Sequence, residues 1–162
     1  MLLLLAATMA FADDVVVEMD SRGLVTATTV VPDSQAAVLA ALRDPEQAAA
    51  LPPEVLGVST LTRGDCVTMS VSVKGAWDPL KYTTQRCPTA KGYKYKLLKS
   101  DTLTAYEAEW ILAPDVSGGT HVTYQVRTEL NMPVPKLLVR KGMLQSAKDT
   151  IVALVRKVTK AR

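Results

Sequence analysis

The chain has 162 residues, 48% of them hydrophobic and 22% charged, with a formal net charge of +3. That length fits one domain able to bury roughly 70% of its unfolded surface, and the balance excludes a disordered or fibrous chain. The charge is uneven: residues 134–162 hold eight Lys and Arg against Asp149 alone, a local +7 that leaves −4 elsewhere, so one basic surface is expected and no nucleic-acid partner.

The N-terminus, MLLLLAATMAFADD, has a short apolar run from Leu2 to Phe11, and Ala10-Phe11-Ala12 matches the small-x-small pattern of a signal cleavage site. The run is too short to span a bilayer. No Lys or Arg precedes it, so the basic n-region of a signal peptide is missing. Residues 1–12 read as a signal peptide, with a buried strand as the alternative, and residues 13–162 as a single domain. The first reading implies a periplasmic or secreted protein.

Val15–Val17 and Leu24–Val31 read as β segments around the turn Asp20-Ser21-Arg22-Gly23. Pro32-Asp33-Ser34 stops the second and caps a helix, QAAVLAALR. Asp44-Pro45 opens a short helix, EQAAAL, with Pro at its first position, where no N–H is needed. Pro52-Pro53 ends it. Residues 55–130 are strand-like throughout, in runs Val55–Thr62, Cys66–Lys74, Leu80–Cys87, Gly92–Lys99, Thr104–Leu112 and Thr120–Leu130. Val67, Met69, Val71 and Val73 share one face against Thr68, Ser70 and Ser72. Tyr106, Ala108 and Trp110 oppose Glu107 and Glu109, and Val122, Tyr124, Val126 and Leu130 oppose His121, Thr123, Gln125, Arg127 and Glu129. This period of two marks a sheet covered on one side. Short loops between the runs favour an antiparallel meander.

The two cysteines test the register. Pairing the second and third runs about Gly75-Ala76-Trp77-Asp78 opposes residues whose numbers sum to 153, and Cys66 and Cys87 also sum to 153. They then face each other on the polar side of the hairpin, as a disulfide requires; the alternative is two unpaired thiols. Their spacing carries no metal signature, and the single His121 does not complete a zinc site. No metal or cofactor is expected.

Residues 134–160 read as one long helix. Leu137, Leu144, Ile151 and Val158 recur every seven residues, with Ala147, Leu154 and Ala161 beside them and Met143 and Val155 at the margins. Arg156, Lys157, Lys160, Ser146 and Asp149 take the opposite side, so most of the positive charge reads as the solvated back of a helix with a buried front. Arg140 and Lys136 break the pattern by pointing with the stripe. An Arg there must reach water, a partner or an anion. Either the first turns overhang the sheet and are wet, or the two residues stand at the mouth of a cavity. Gly142, costing about 1 kcal/mol against Ala in mid-helix, points to a close contact or bend nearby.

One strand, two short helices, an antiparallel meander and a long C-terminal helix resemble the START-like, or helix-grip, superfamily: START domains, plant pathogenesis-related allergens, polyketide cyclases and coenzyme Q-binding proteins. TATTVVPDSQAAVLAALRDPEQAAALPPEVLGV resembles its strand, paired helices and entry to the next strand. GTHVTYQVRTELNMPVPKLLVRKG resembles its last strand leading into the helix, and the stripe through Ile151 and Val158 its gripping helix. The likeness covers residues 23–160. It implies an α+β fold in which a curved antiparallel sheet wraps the long helix around an apolar cavity, and a small hydrophobic ligand such as a lipid, sterol, quinone or polyketide.

By alternation Met69, Val71, Tyr93, Tyr95, Tyr106, Trp110, Tyr124 and Val126 face that interior, with Leu144 on the helix and Arg140 near its mouth. The aromatics, each with a polar tip, suit an amphipathic ligand or simply fill a core. No phosphate-binding loop or nucleophile elbow is present, and His121 falls on the polar outer face. An exported, non-enzymatic binding or carrier protein is therefore expected. The alternative is a cyclase or dehydratase using a cavity tyrosine as general acid. A peripheral contact with anionic membrane is also possible on this pattern, through Trp77 at a hairpin tip and the basic helix; the plainer reading of Trp77 is a turn residue packed on its neighbours.

Overall fold

A computed structural model of the protein describes residues 14–75 and 77–161; the apolar run read as a signal peptide lies outside them. Strands β1 (Val16–Met19) and β2 (Val25–Val31) form a hairpin whose turn uses Gly23 at φ 82°, a conformation that costs glycine little. Helix α1 (Gln35–Leu42) starts where the Ser34 side chain accepts from the Ala37 N–H at 3.1 Å, and α2 (Pro45–Ala49) where Asp44 accepts from Gln47 at 3.0 Å. Each cap contributes about 1 kcal/mol.

Six strands follow: β3 (Val55–Thr62), β4 (Val67–Val73), β5 (Leu80–Thr89), β6 (Gly92–Ser100), β7 (Leu103–Pro114) and β8 (Thr120–Leu130). Every pair is antiparallel, and the sheet runs β1-β2-β8-β7-β6-β5-β4-β3, so the last strand closes beside the N-terminal hairpin. Gly92 is required at the tight β5–β6 turn, because a Cβ there would collide with the Trp110 carbonyl on β7.

The β4–β5 register is the one the cysteines imply, from Val67 opposite Arg86 to Val73 opposite Leu80. Cys66 and Cys87 close that ladder with a disulfide. The alternation also holds. Val25, Ala27 and Val31 on β2, Met69 and Val71 on β4, Ala108, Trp110 and Leu112 on β7, and Val122 and Tyr124 on β8 form a buried inner face.

Helix α3 (Lys136–Lys160) lies across that face and buries Ala147, Thr150, Ile151, Leu154, Val155 and Val158. The architecture is the expected α+β helix-grip fold. The apolar stripe, however, is not buried along its whole length. Leu137 is 77% exposed and Leu138 63%, Leu144 is only half-buried, and Ala161 is exposed. The first turns of α3 stand away from the sheet, and their outer side chains are in solvent.

Candidate functional site

Where α3 leaves the sheet, the two separate into a cavity of about 340 Å³. The helix contributes Leu138, Val139, Gly142, Met143 and Ser146, the sheet Tyr82, Tyr106, Tyr124 and Val126, and the turn after α2 Pro52, Glu54 and Val55. A second space of about 430 Å³ adjoins it through Thr128, Leu130, Val139 and Met143, and is edged by Arg22, Lys136 and Arg140. Both volumes fall within the ~300–1,000 Å³ typical of small-molecule sites.

Gly142 helps to make this room. A Cβ there would meet nothing within 4 Å, so of the close contact or bend expected at this glycine, the contact is replaced by open space.

The polar groups are few and specific. The Ser146 hydroxyl donates to the Glu54 carboxylate, 2.8 Å from Oε1 and 2.9 Å from Oε2. This links the helix to the turn before β3. Ser146 therefore faces the site and not the solvated back of the helix to which its spacing assigns it; it lies three residues after Met143 and four after Gly142, on the same face as both.

Tyr82 and Tyr106 lean together, with ring centroids 4.9 Å apart at 44°. Burial pushes the phenols of Tyr106 and Tyr124 well above their usual value. It raises Tyr82 too, with a nearby Tyr106 hydroxyl offsetting a part. All three are neutral hydroxyls at physiological pH.

Behind them lies an unexpected cation. Arg86 on β5 is 3% exposed. Its Nη2 donates to the Arg43 carbonyl at 3.1 Å, and its guanidinium sits 3.5 Å from the centroid of the Tyr93 ring. Such a stack favours a desolvated cation over an aromatic face. Among the described residues, its Nη1 and the buried Tyr95 hydroxyl make no hydrogen bond of good geometry. Burial raises the Tyr95 phenol, and the Arg86 charge partly counters that rise.

The residues named from sequence divide into groups. Tyr106, Tyr124 and Val126 line the cavity, and Arg140 edges the adjoining space. Met69 and Val71 are buried outside both spaces, and Leu144 is half-buried against the core. Trp110 stacks on Tyr124 at 4.4 Å and, with Tyr95, borders a void of about 10 Å³. Tyr93 supports Arg86. Tyr82, Glu54, Arg86 and Ser146 are among those the sequence reading does not name for the site. Tyr82 and Arg86 follow from placing Cys87 on the outer face, since alternation then turns both inward. Glu54 lies in a turn without periodicity, and the spacing of Ser146 points it to the solvated back of the helix, whereas it faces the cavity. Among the described residues no group of three His, Cys, Asp or Glu side chains is placed to hold a metal ion.

The family model described as polyketide cyclase / dehydrase and lipid transport matches residues 22–159. The chain belongs to this family. Solved structures with the same fold include a START superfamily protein from Mycobacterium smegmatis, at TM-score 0.73 and 20% identity over 86% of this chain and 99% of that one. The Zhui aromatase/cyclase from Streptomyces sp. R1128 superposes at 0.66 with 16% identity, over 85% and 92%. A STAR-related lipid transfer protein from Xanthomonas axonopodis does so at 0.64 with 16% identity, over 91% and 99%. No curated protein gives a significant sequence match. The polyketide cyclase / dehydrase and lipid transport family thus accounts for the sheet, the gripping helix and the space between them.

Proposed function

We propose that the protein is a non-enzymatic carrier that holds a hydrophobic or amphipathic molecule, such as a lipid, quinone, sterol or polyketide-like compound, between the sheet and α3. The observation that carries this reading is the 340 Å³ cavity with apolar walls and a few polar groups gathered at Tyr82, Tyr106, Glu54 and Ser146. A mostly apolar pocket with few convergent polar groups is the arrangement that orients an amphipathic ligand. Neutral phenols donate hydrogen bonds to a carbonyl, quinone or hydroxyl oxygen without burying a charge. Of the residues named from sequence, Tyr106, Tyr124 and Val126 are assigned to ligand contact, with Arg140 at the rim. Tyr82, Glu54 and Ser146 join them, while Met69, Val71 and Trp110 are assigned to the core.

The enzymatic alternative has one observation in its favour, the Glu54 carboxylate within the cavity beside Tyr82. Its tyrosine mechanism is weakened by the same burial that shapes the site. A general acid works best with a pKa near the working pH, and burial drives these phenols away from it.

Export is the compartment we assign. The Cys66–Cys87 disulfide supports it, because such bonds persist in oxidising compartments and are rare in the cytosol.

Purification under native conditions, solvent extraction and mass spectrometry test the carrier. One molecule of an apolar compound per chain is expected, recovered unaltered after incubation with the protein. An empty protein in repeated preparations, or conversion of the compound on incubation, would refute it.

A further inference from the structure

The mouth of the cavity is bordered by an unusual surface. One end of the sheet collects the β1–β2 turn, the β4–β5 hairpin tip and the connection from β8 to α3, as the registers Val25 to Val126, Val73 to Leu80 and Leu103 to Leu130 require. On that end the connection and first turn of α3 present Met132 at 41% exposure, Val134 at 37%, Leu137 at 77% and Leu138 at 63%. Four apolar side chains within seven residues form a cluster, not the scattered single exposures that need no explanation. The hairpin carries Trp77, 95% exposed. It is tied to the cavity wall where the Lys74 N–H donates to the Glu54 carbonyl at 2.8 Å. Trp77 is thus not packed on its neighbours.

The charge on the same rim is positive. Arg22, with the Asp20 carboxylate near it, edges the adjoining space together with Lys136 and Arg140, and Lys141 is exposed beside them. Among the described residues none of these four forms an ion pair; Arg127, paired with Glu107 and Glu129, accounts for the salt bridges. No acidic residue stands in the first turn of α3. The acid that lines the space, Glu129, is held by Arg127 at 2.6 Å. Exposed aliphatic and indole groups on one end of the sheet, with Lys136, Arg140 and Lys141 free of ion pairs among the described residues, match a bilayer interface, where apolar groups enter the acyl boundary and cations meet anionic headgroups.

We propose that this rim docks on the surface of an anionic lipid bilayer, so that the cavity mouth faces the membrane from which its ligand is taken or to which it is delivered. The proposal rests on the carrier reading for its purpose, though not for its geometry. The same rim gives Arg140 and Lys136 their partners: both point with the apolar stripe because both are aimed at headgroups.

Flotation with two vesicle preparations tests it, one of phosphatidylcholine alone and one of phosphatidylcholine mixed with phosphatidylglycerol. The protein is expected to float with the anionic vesicles at least ~10-fold better than with the neutral ones, and to be released at high ionic strength. The double substitution Lys136→Glu with Arg140→Glu should lower binding at least ~10-fold. Trp77→Ser with Leu137→Ser, neither of which lines the cavity, should weaken it without changing the recovered ligand. Equal binding to both vesicles, no binding to either, or indifference to both double variants would overturn the proposal. So would a solution dimer dissociated by Leu137→Ser, which would assign the patch to a second copy of the chain. The two readings fail separately. A ligand-bearing protein that does not float refutes the docking alone, and an empty protein that floats refutes the carrier alone.

Discussion

Val126→Trp should expel the ligand. Val126 projects from β8 into the cavity opposite Met143, between Ala108 and Val25 on the neighbouring strands. An indole there fills space that the ligand needs. Affinity for the extracted compound should fall at least about 100-fold, equivalent to about 2.8 kcal/mol. Overpacking costs about 1–3 kcal/mol, but the cavity gives the new ring somewhere to go, so the fold should survive at the low end of that range. Met143→Trp fills the same space from the helix and should act alike, which guards against one variant misfolding. Equilibrium binding followed by intrinsic fluorescence measures both. Folded variants that bind as tightly as the parent would show that the ligand lies elsewhere.

Replacing both cysteines, Cys66→Ser with Cys87→Ser, should lower stability by about 3 kcal/mol, the chain-entropy value for a loop of this length. For a chain this size that is a fall in Tm of about 6–12 °C. The bond spans 21 residues and closes the open end of the β4–β5 hairpin, one residue beyond the last paired residues, Val67 and Arg86. The ladder itself does not depend on it. The folded state should therefore keep its register, and the loss should arise mainly from a freer unfolded chain. Calorimetry on the oxidised parent and the variant decides this. A shift below about 2 °C would mean that the disulfide contributes little, and would remove one support for an oxidising compartment.

How far the sequence could be read depends on what determines each feature. The strands were legible because their period is two and one face is buried; β3 and β8 fall on the expected Val55–Thr62 and Thr120–Leu130. The disulfide was legible because hairpin register is arithmetic. The two short helices were marked by Ser34 and Asp44, whose side chains make the caps observed.

The site was less legible. Period two tells which side chains point inward, but not whether the helix touches them there. Met69 and Tyr106 share the inner face of the sheet, yet one is fully buried and the other lines the cavity. The difference depends on where α3 lifts away, which is a property of tertiary packing. Glu54 sits in a turn with no pattern to read, and Arg86 was hidden because β5 carries few apolar residues to mark its inner face.

The most direct test of the central claim, that the space between sheet and helix is a ligand site, is a methyl NMR titration of the protein with the compound recovered by extraction. Methionine and valine methyls occur in both the cavity and the core, so each type carries its own control. The largest shifts are predicted at Met143, Val55, Val126 and Val139, which line the cavity, with Met69, Val71 and Val158 nearly unmoved. Shifts confined to exposed methyls such as Val16 and Val116, with the four cavity methyls silent, would contradict the account.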